Sequence, residues 1–117
     1  MWLEKAAQAD EPDAQVSLAE YLLREHATSE STAGALTWLE RASKQGNSTG
    51  KFILASVLAA APVDHDRDPT RALALTDGIE HEFKHDPSFW EIRAAAKASQ
   101  GKFADALKDQ EKAISEA

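Results

Sequence analysis

Apolar residues recur along this chain at spacings of three and four, the period of a helix with one buried face. Val16, Leu18, Ala19, Leu22 and Leu23 form one such stripe, and Ala35, Leu36, Leu39 and Ala42 form the next. Phe52, Leu54, Ala55, Leu58 and Ala59 line a third segment; Ala72, Leu75, Ile79 and Phe83 line a fourth. Phe89, Trp90, Ala94 and Ala98 mark a fifth, and Phe103, Ala106, Leu107, Ala113 and Ile114 make the last stripe.

Punctuation between the stripes agrees with helix ends. Pro12 suits the first helical position, where its missing N–H is no loss, and Asp13 complements the positive end of the helix dipole. Asp68-Pro69 and Asp86-Pro87 each read as a cap followed by the first turn, and the hydroxyls of residues 28–31 offer caps to the helix carrying Ala35. Gly46, followed by Asn47, is a stop signal; Pro62 closes the third segment ahead of a polar loop at 63–67, and Gly101 breaks the fifth.

The stripes repeat. Residues 2–8 read Trp-Leu-Glu-Lys-Ala-Ala-Gln and residues 38–44 read Trp-Leu-Glu-Arg-Ala-Ser-Lys, an offset of 36 from Trp2 to Trp38. The same shift carries Ala14-Gln15 to Gly50-Lys51, Leu18-Ala19 to Leu54-Ala55, and Leu22 to Leu58. Small and apolar positions agree while solvent positions drift, as when one packing unit is laid down more than once. Tryptophans recurring at the repeat period, Trp2 and Trp38, are expected to pack between neighbouring units.

These blocks resemble the Sel1-like repeat family, a branch of the tetratricopeptide superfamily. Trp2-Leu3-Glu4-Lys5-Ala6-Ala7 and Trp38-Leu39-Glu40-Arg41-Ala42 look like its second-helix signature; Ala14-Gln15, Leu18-Ala19 and Tyr21-Leu22 look like its first. The last pair is closer to an ordinary tetratricopeptide unit, carried by Trp90, Ala94, Gly101, Phe103, Ala106 and Ala113. Arg93 and Lys97 depart from that pattern, standing where apolar or aromatic residues are usual. The glycine-bearing loop of Sel1 units is also missing at 28–31, and acidic residues replace it at 64–68.

The resemblance implies an all-α fold: antiparallel helical hairpins stacked as a right-handed α-α superhelix, a solenoid fragment. The expected organisation is one domain over 1–117, with a partial helix at 1–9 and pairs at 12–45, 48–84 and 87–117. A start on a second helix without its partner, and an end inside a helical pattern, give the expectation that the chain is a segment of a longer protein. Apolar faces at such ends would allow a homodimer through exposed repeat ends.

Composition narrows the function classes. Apolar residues make up 43% and aromatics only 7%, so alanine carries much of the core and favours close-packed helices. With 20 acidic against 13 basic residues the net charge is −7, which repels duplex nucleic acid and anionic membrane. No stretch approaches the ~20 apolar residues that span a bilayer. The absence of cysteine removes thiolate catalysis and Cys-ligated zinc while leaving the compartment open, periplasm and cytoplasm alike.

One catalytic string matches by letter. His81-Glu82-Phe83-Lys84-His85 has the H-E-x-x-H form in which two histidines on one helix face bind zinc and the glutamate activates water. Its context is wrong: Asp86-Pro87 ends the helix at once, charges stand at Lys84 and Asp86, and no third ligand follows. Asp64, Asp66 and Asp68 alternate like the start of a calcium loop, but the required glycine and bidentate glutamate fall on Pro69 and Leu75. The expectation is therefore no enzyme, no metal and no cofactor.

What remains is a protein-binding scaffold. In the resembled family the first helix of each pair lines a concave surface, which places Glu20, Arg24, Phe52 and Ser56 as the groove candidates for a protein or peptide partner. The alternative is a structural spacer or self-association module of a larger envelope or signalling protein, roles common among bacterial members of that family; a remote alternative is a metal-binding protein built on the H-E-x-x-H string.

Overall fold

Seven helices form the described chain, and the fold is all-α. The computed structural model describes residues 2–25, 29–60 and 68–117, with backbone alone at 2–4, 25, 29 and 60. The helices are α1 (Trp2–Gln8), α2 (Pro12–Glu25), α3 (Ser29–Lys44), α4 (Ser48–Ala60), α5 (Pro69–Phe83), α6 (Pro87–Ser99) and α7 (Phe103–Glu116). Pro12, Pro69 and Pro87 each open a helix, as their fixed φ and absent donor predict. The Asp68 carboxylate accepts from the Arg71 amide at 3.1 Å and the Asp86 carboxylate from the Ser88 amide at 2.9 Å, so both cap as the sequence suggested. Thr28, Pro62 and the loop with Asp64 and Asp66 lie outside the described residues.

The chain divides into two compact units, residues 1–54 and 55–117, with the division inside α4. In the first unit α2 packs against both α1 and α3. Ala7, Ala14 and Leu18 form a buried cluster there, and Ala6, Leu22 and half-buried Trp38 pack onto it. The side chain of Trp2 is not among those described. Gly50 lets α4 approach closely, because a Cβ at that position would lie 3.1 Å from the Ala42 Cβ and 3.4 Å from Val16 Cγ2.

Gln15 is fully buried and fully satisfied. Its amide nitrogen donates to the Ala7 carbonyl at 3.0 Å and to Asp10 Oδ1 at 3.2 Å, while its oxygen accepts from Gln45 at 3.0 Å. One side chain therefore links the end of α1, the start of α2 and the end of α3 without leaving a buried polar atom unpaired.

Three of the interhelical turns have the same hydrogen bonds. After α1, the Asp10 amide donates to the Ala7 carbonyl and the Glu11 amide to Ala6. After α3, Gly46 donates to Ser43 and Asn47 to Ala42; after α6, Gly101 donates to Ala98 and Lys102 to Lys97. Each is the paired C-terminal stop that returns amides to otherwise orphaned carbonyls. The pivot must be left-handed, and φ is 61° at Asp10, 83° at Gly46 and 79° at Gly101. In every case the next residue opens the following helix, its carbonyl accepting from Gln15, Lys51 or Ala106 four residues on. At Asn47 the side chain also caps, accepting from the Gly50 amide at 2.7 Å, so Asn47 starts α4 as well as finishing α3.

In the second unit α6 packs against α5 and α7. Phe89 and Ile79 are buried with Ala72, Ala94, Ala96 and Ala113. The turn after α5 differs from the other three. Lys84 stays right-handed, and the Trp90 indole N–H donates to its carbonyl at 2.7 Å, closing the helix end with a side chain instead of a glycine.

Substituting the pivots tests this account. Gly46→Ala and Gly101→Ala each force an L-residue into left-handed backbone and are expected to cost about 1–2 kcal/mol in chemical denaturation. Gly78, inside α5 with open space where a Cβ would sit, should behave oppositely, Gly78→Ala adding about 0.5–1 kcal/mol. Neutral substitution at both pivots would contradict the turn geometry.

Candidate functional site

The four groove candidates sit on two helices. Glu20 and Arg24 are one turn apart on α2, half-buried and exposed respectively; Phe52 and Ser56 are one turn apart on α4, both half-buried. A side chain that is neither core nor fully solvated can still reach a partner, which is what a binding position requires.

The H-E-x-x-H string straddles the end of a helix. α5 ends at Phe83, Lys84 is its cap, and His85 follows beyond the end, so only His81 and Glu82 of the polar letters are helical. All three are exposed. A His85 ring nitrogen lies 3.1 Å from Glu116 Oε2 on α7. Among the described residues no cluster of three or more His, Asp or Glu is arranged to hold a metal ion.

That His85–Glu116 pair borders a cleft of about 310 Å³ between the end of α5, the start of α6 and the end of α7. Trp90 forms part of its wall, and the Lys112 ammonium stands 4.4 Å from the Trp90 ring centroid, a cation–π contact. Lys84 and Glu80 complete a lining of mixed sign. These contacts tie the last turns of α7 to the end of α5 and the start of α6.

A second polar group lies deeper. Asp109 on α7 is 4% exposed, and the Lys97 ammonium of α6 lies 2.7 Å from its Oδ2. Arg93 Nε stands 3.9 Å from the same oxygen; neither of these two contacts has hydrogen-bonding geometry, so charge alone joins them. Arg93 Nη1 donates to Thr76 Oγ1 at 2.8 Å and to Asp77 Oδ1 at 2.6 Å on α5. Thr76, itself fully buried, donates onward to the Leu73 carbonyl at 2.9 Å. The two basic residues that break the tetratricopeptide pattern therefore face partners on both neighbouring helices. Sequence reasoning placed them as departures and missed Asp109 and Thr76. The available signal was the spacing of Asp109 between Ala106 and Ala113, which puts a carboxylate on the buried face of α7.

The last apolar stripe is split by the structure. Ala106 and Ala113 are buried, whereas Phe103 is 70% exposed, Leu107 60% and Ile114 69%. Tyr21 is the other large apolar side chain exposed among the described residues, at 36%. Phe103 and Leu107 border an open groove of about 340 Å³ whose opposite wall is Ala95 and Ala98 of α6, with Glu91 at its edge.

No family model, no curated protein and no solved structure matches this chain.

The buried charges predict a specific non-additivity. Asp109→Leu strands the Lys97 ammonium against an apolar wall and is expected to cost about 3 kcal/mol in urea unfolding followed by far-UV dichroism. Lys97→Met added to it should recover most of that loss, since an apolar pair of similar volume is tolerated. Equal destabilisation of the single and double variants would show that the two residues are uncoupled.

Proposed function

We propose that this chain is a non-catalytic helical-repeat module of the Sel1-like and tetratricopeptide kind, whose helical pairs stack as a right-handed superhelix and bind a protein or peptide segment. The observation that carries the reading is the recurrence of one turn at the sequence period. Asp10 and Gly46, 36 residues apart, are both left-handed pivots with the same pair of backbone bonds. A tile that repeats in sequence and in its joint is what a solenoid requires, and solenoids work by offering an extended surface rather than an enclosed reaction site. The H-E-x-x-H string at the very end of α5, with no third ligand among the described residues, supports the non-catalytic side of the reading.

Glu20, Arg24, Phe52 and Ser56 are the proposed contact positions, with Phe52 as apolar anchor and the acidic and basic side chains as flanks.

Peptides selected from a random display library against the folded chain test the proposal. Those that bind should lose about tenfold or more in affinity on the Arg24→Ala/Phe52→Ala double variant, read by fluorescence anisotropy. Selected peptides that bind the double variant undiminished would remove these positions; a library that yields no binder would count against the scaffold reading as a whole.

A further inference from the structure

The exposed face of α7 is built from α6 and α7 residues and includes none of the α2 and α4 positions. Phe103, Leu107, Gln110 and Ile114 follow one another at intervals of four, three and four, the seam spacing by which one helix receives another. Ala106, Asp109 and Ala113, on the adjoining arc, are already buried, so the seam faces away from the unit's own core. Ala95 and Ala98 of α6 extend the face as a flat floor, their small side chains leaving room for a backbone to approach. Three large apolar groups more than half exposed on one helix, with a groove beside them, are the signature of a covered surface.

The charges at its rims indicate what covers it. Glu91 edges the groove on the α6 side. Glu111, one turn beyond Leu107, lies about 40° round α7 from it, on the side away from buried Ala106 and Ala113; both glutamates are exposed. Lys108 lies about 100° further round the helix than Leu107, away from the seam. A second copy of this chain would bring acidic rims against acidic rims, with a net charge of −7 on each molecule. A foreign helix with basic flanks meets the opposite situation on both sides, and the long-range field of the chain attracts it.

We propose that the α6–α7 face docks an amphipathic helix of a partner protein, its apolar stripe on Phe103, Leu107 and Ile114 and its lysines or arginines against Glu91 and Glu111. Gln110, the polar member of the seam, sets the register of that helix, as a single buried amide does in a coiled coil. The mode is helix-in-groove recognition, read through anchors at helical spacing.

Two labelled synthetic helical peptides, sharing one leucine stripe and flanked by lysine or by glutamate, test the proposal by anisotropy titration of the intact chain. The lysine-flanked peptide is expected to bind and the glutamate-flanked one to bind at least about tenfold more weakly. Glu91→Lys/Glu111→Lys should reverse that order. Leu107→Asp makes the face more acidic, yet it should weaken the lysine-flanked peptide about tenfold by spoiling the anchor; Phe103→Ser serves the same purpose should Leu107→Asp disturb the helical dichroism. Tighter or unchanged binding by both anchor variants would reveal unspecific charge attraction and overturn the proposal. So would failure of the lysine-flanked peptide to bind, or a dimer in sedimentation that Leu107→Asp dissolves, which would assign the face to a second copy.

Discussion

A helix that must end and reverse within three residues leaves carbonyls that need donors, and this requirement governs the described structure. The chain answers it three times in one way. A left-handed pivot at Asp10, Gly46 or Gly101 turns two successive amides back onto the helix just completed. Because the residue after the pivot already opens the next helix, the joint has almost no slack, and α1 packs on α2 and α6 on α7 across it. Gln15 and Asn47 then tie the joints of the first unit across helices: Gln15 to Ala7 and Gln45, and Asn47 to Asp13 at 3.1 Å. At Asp10, where no glycine relieves the positive φ, the carboxylate is bonded to Gln15 and to Arg41 at 2.6 Å. Those bonds offset the strain of the left-handed conformation.

The second unit uses charge where the first uses amides. Arg93 and Lys97 lie between Asp77 on α5 and Asp109 on α7, so ion pairs join α6 to both neighbours. Such pairs add little net stability once their desolvation is counted. With α7 held by Asp109, and by Lys112 on Trp90, its outer side presents Phe103, Leu107 and Ile114 from a firmly seated helix. A fixed apolar face loses less conformational entropy on docking than a mobile one.

Helix starts were legible because proline and aspartate act locally: Pro12, Pro69 and Pro87 open helices in the structure as in the sequence. The stops at Gly46 and Gly101 were legible for the same reason, since glycine enters left-handed backbone without penalty. Asp10 was not, because an aspartate pivot depends on Gln15 and Arg41, five and 31 residues away. The burial of Gln15, Thr76 and Asp109 escaped the apolar pattern because each is made tolerable by partners on other helices, which no single-helix period encodes. The stripe on α7 was read as one face. Helical spacing defines an apolar arc, and only the position of α6 decides that its alanines turn inward and its large side chains outward. For the candidate contacts Glu20, Arg24, Phe52 and Ser56, sequence supplied the helices that carry them, while their role follows from the resemblance and stands as a proposal.

Backbone resonance assignment of the chain in solution tests the repeated joint most directly. The account predicts positive φ at Asp10, Gly46 and Gly101 from amide–Hα couplings and Cα shifts, together with slowed amide exchange at Glu11, Asn47 and Lys102. Asp10 in helical or extended backbone, with a fast-exchanging Glu11 amide beside a protected Asn47, would contradict it: the two joints would then be different structures, and the 36-residue period a likeness of letters alone.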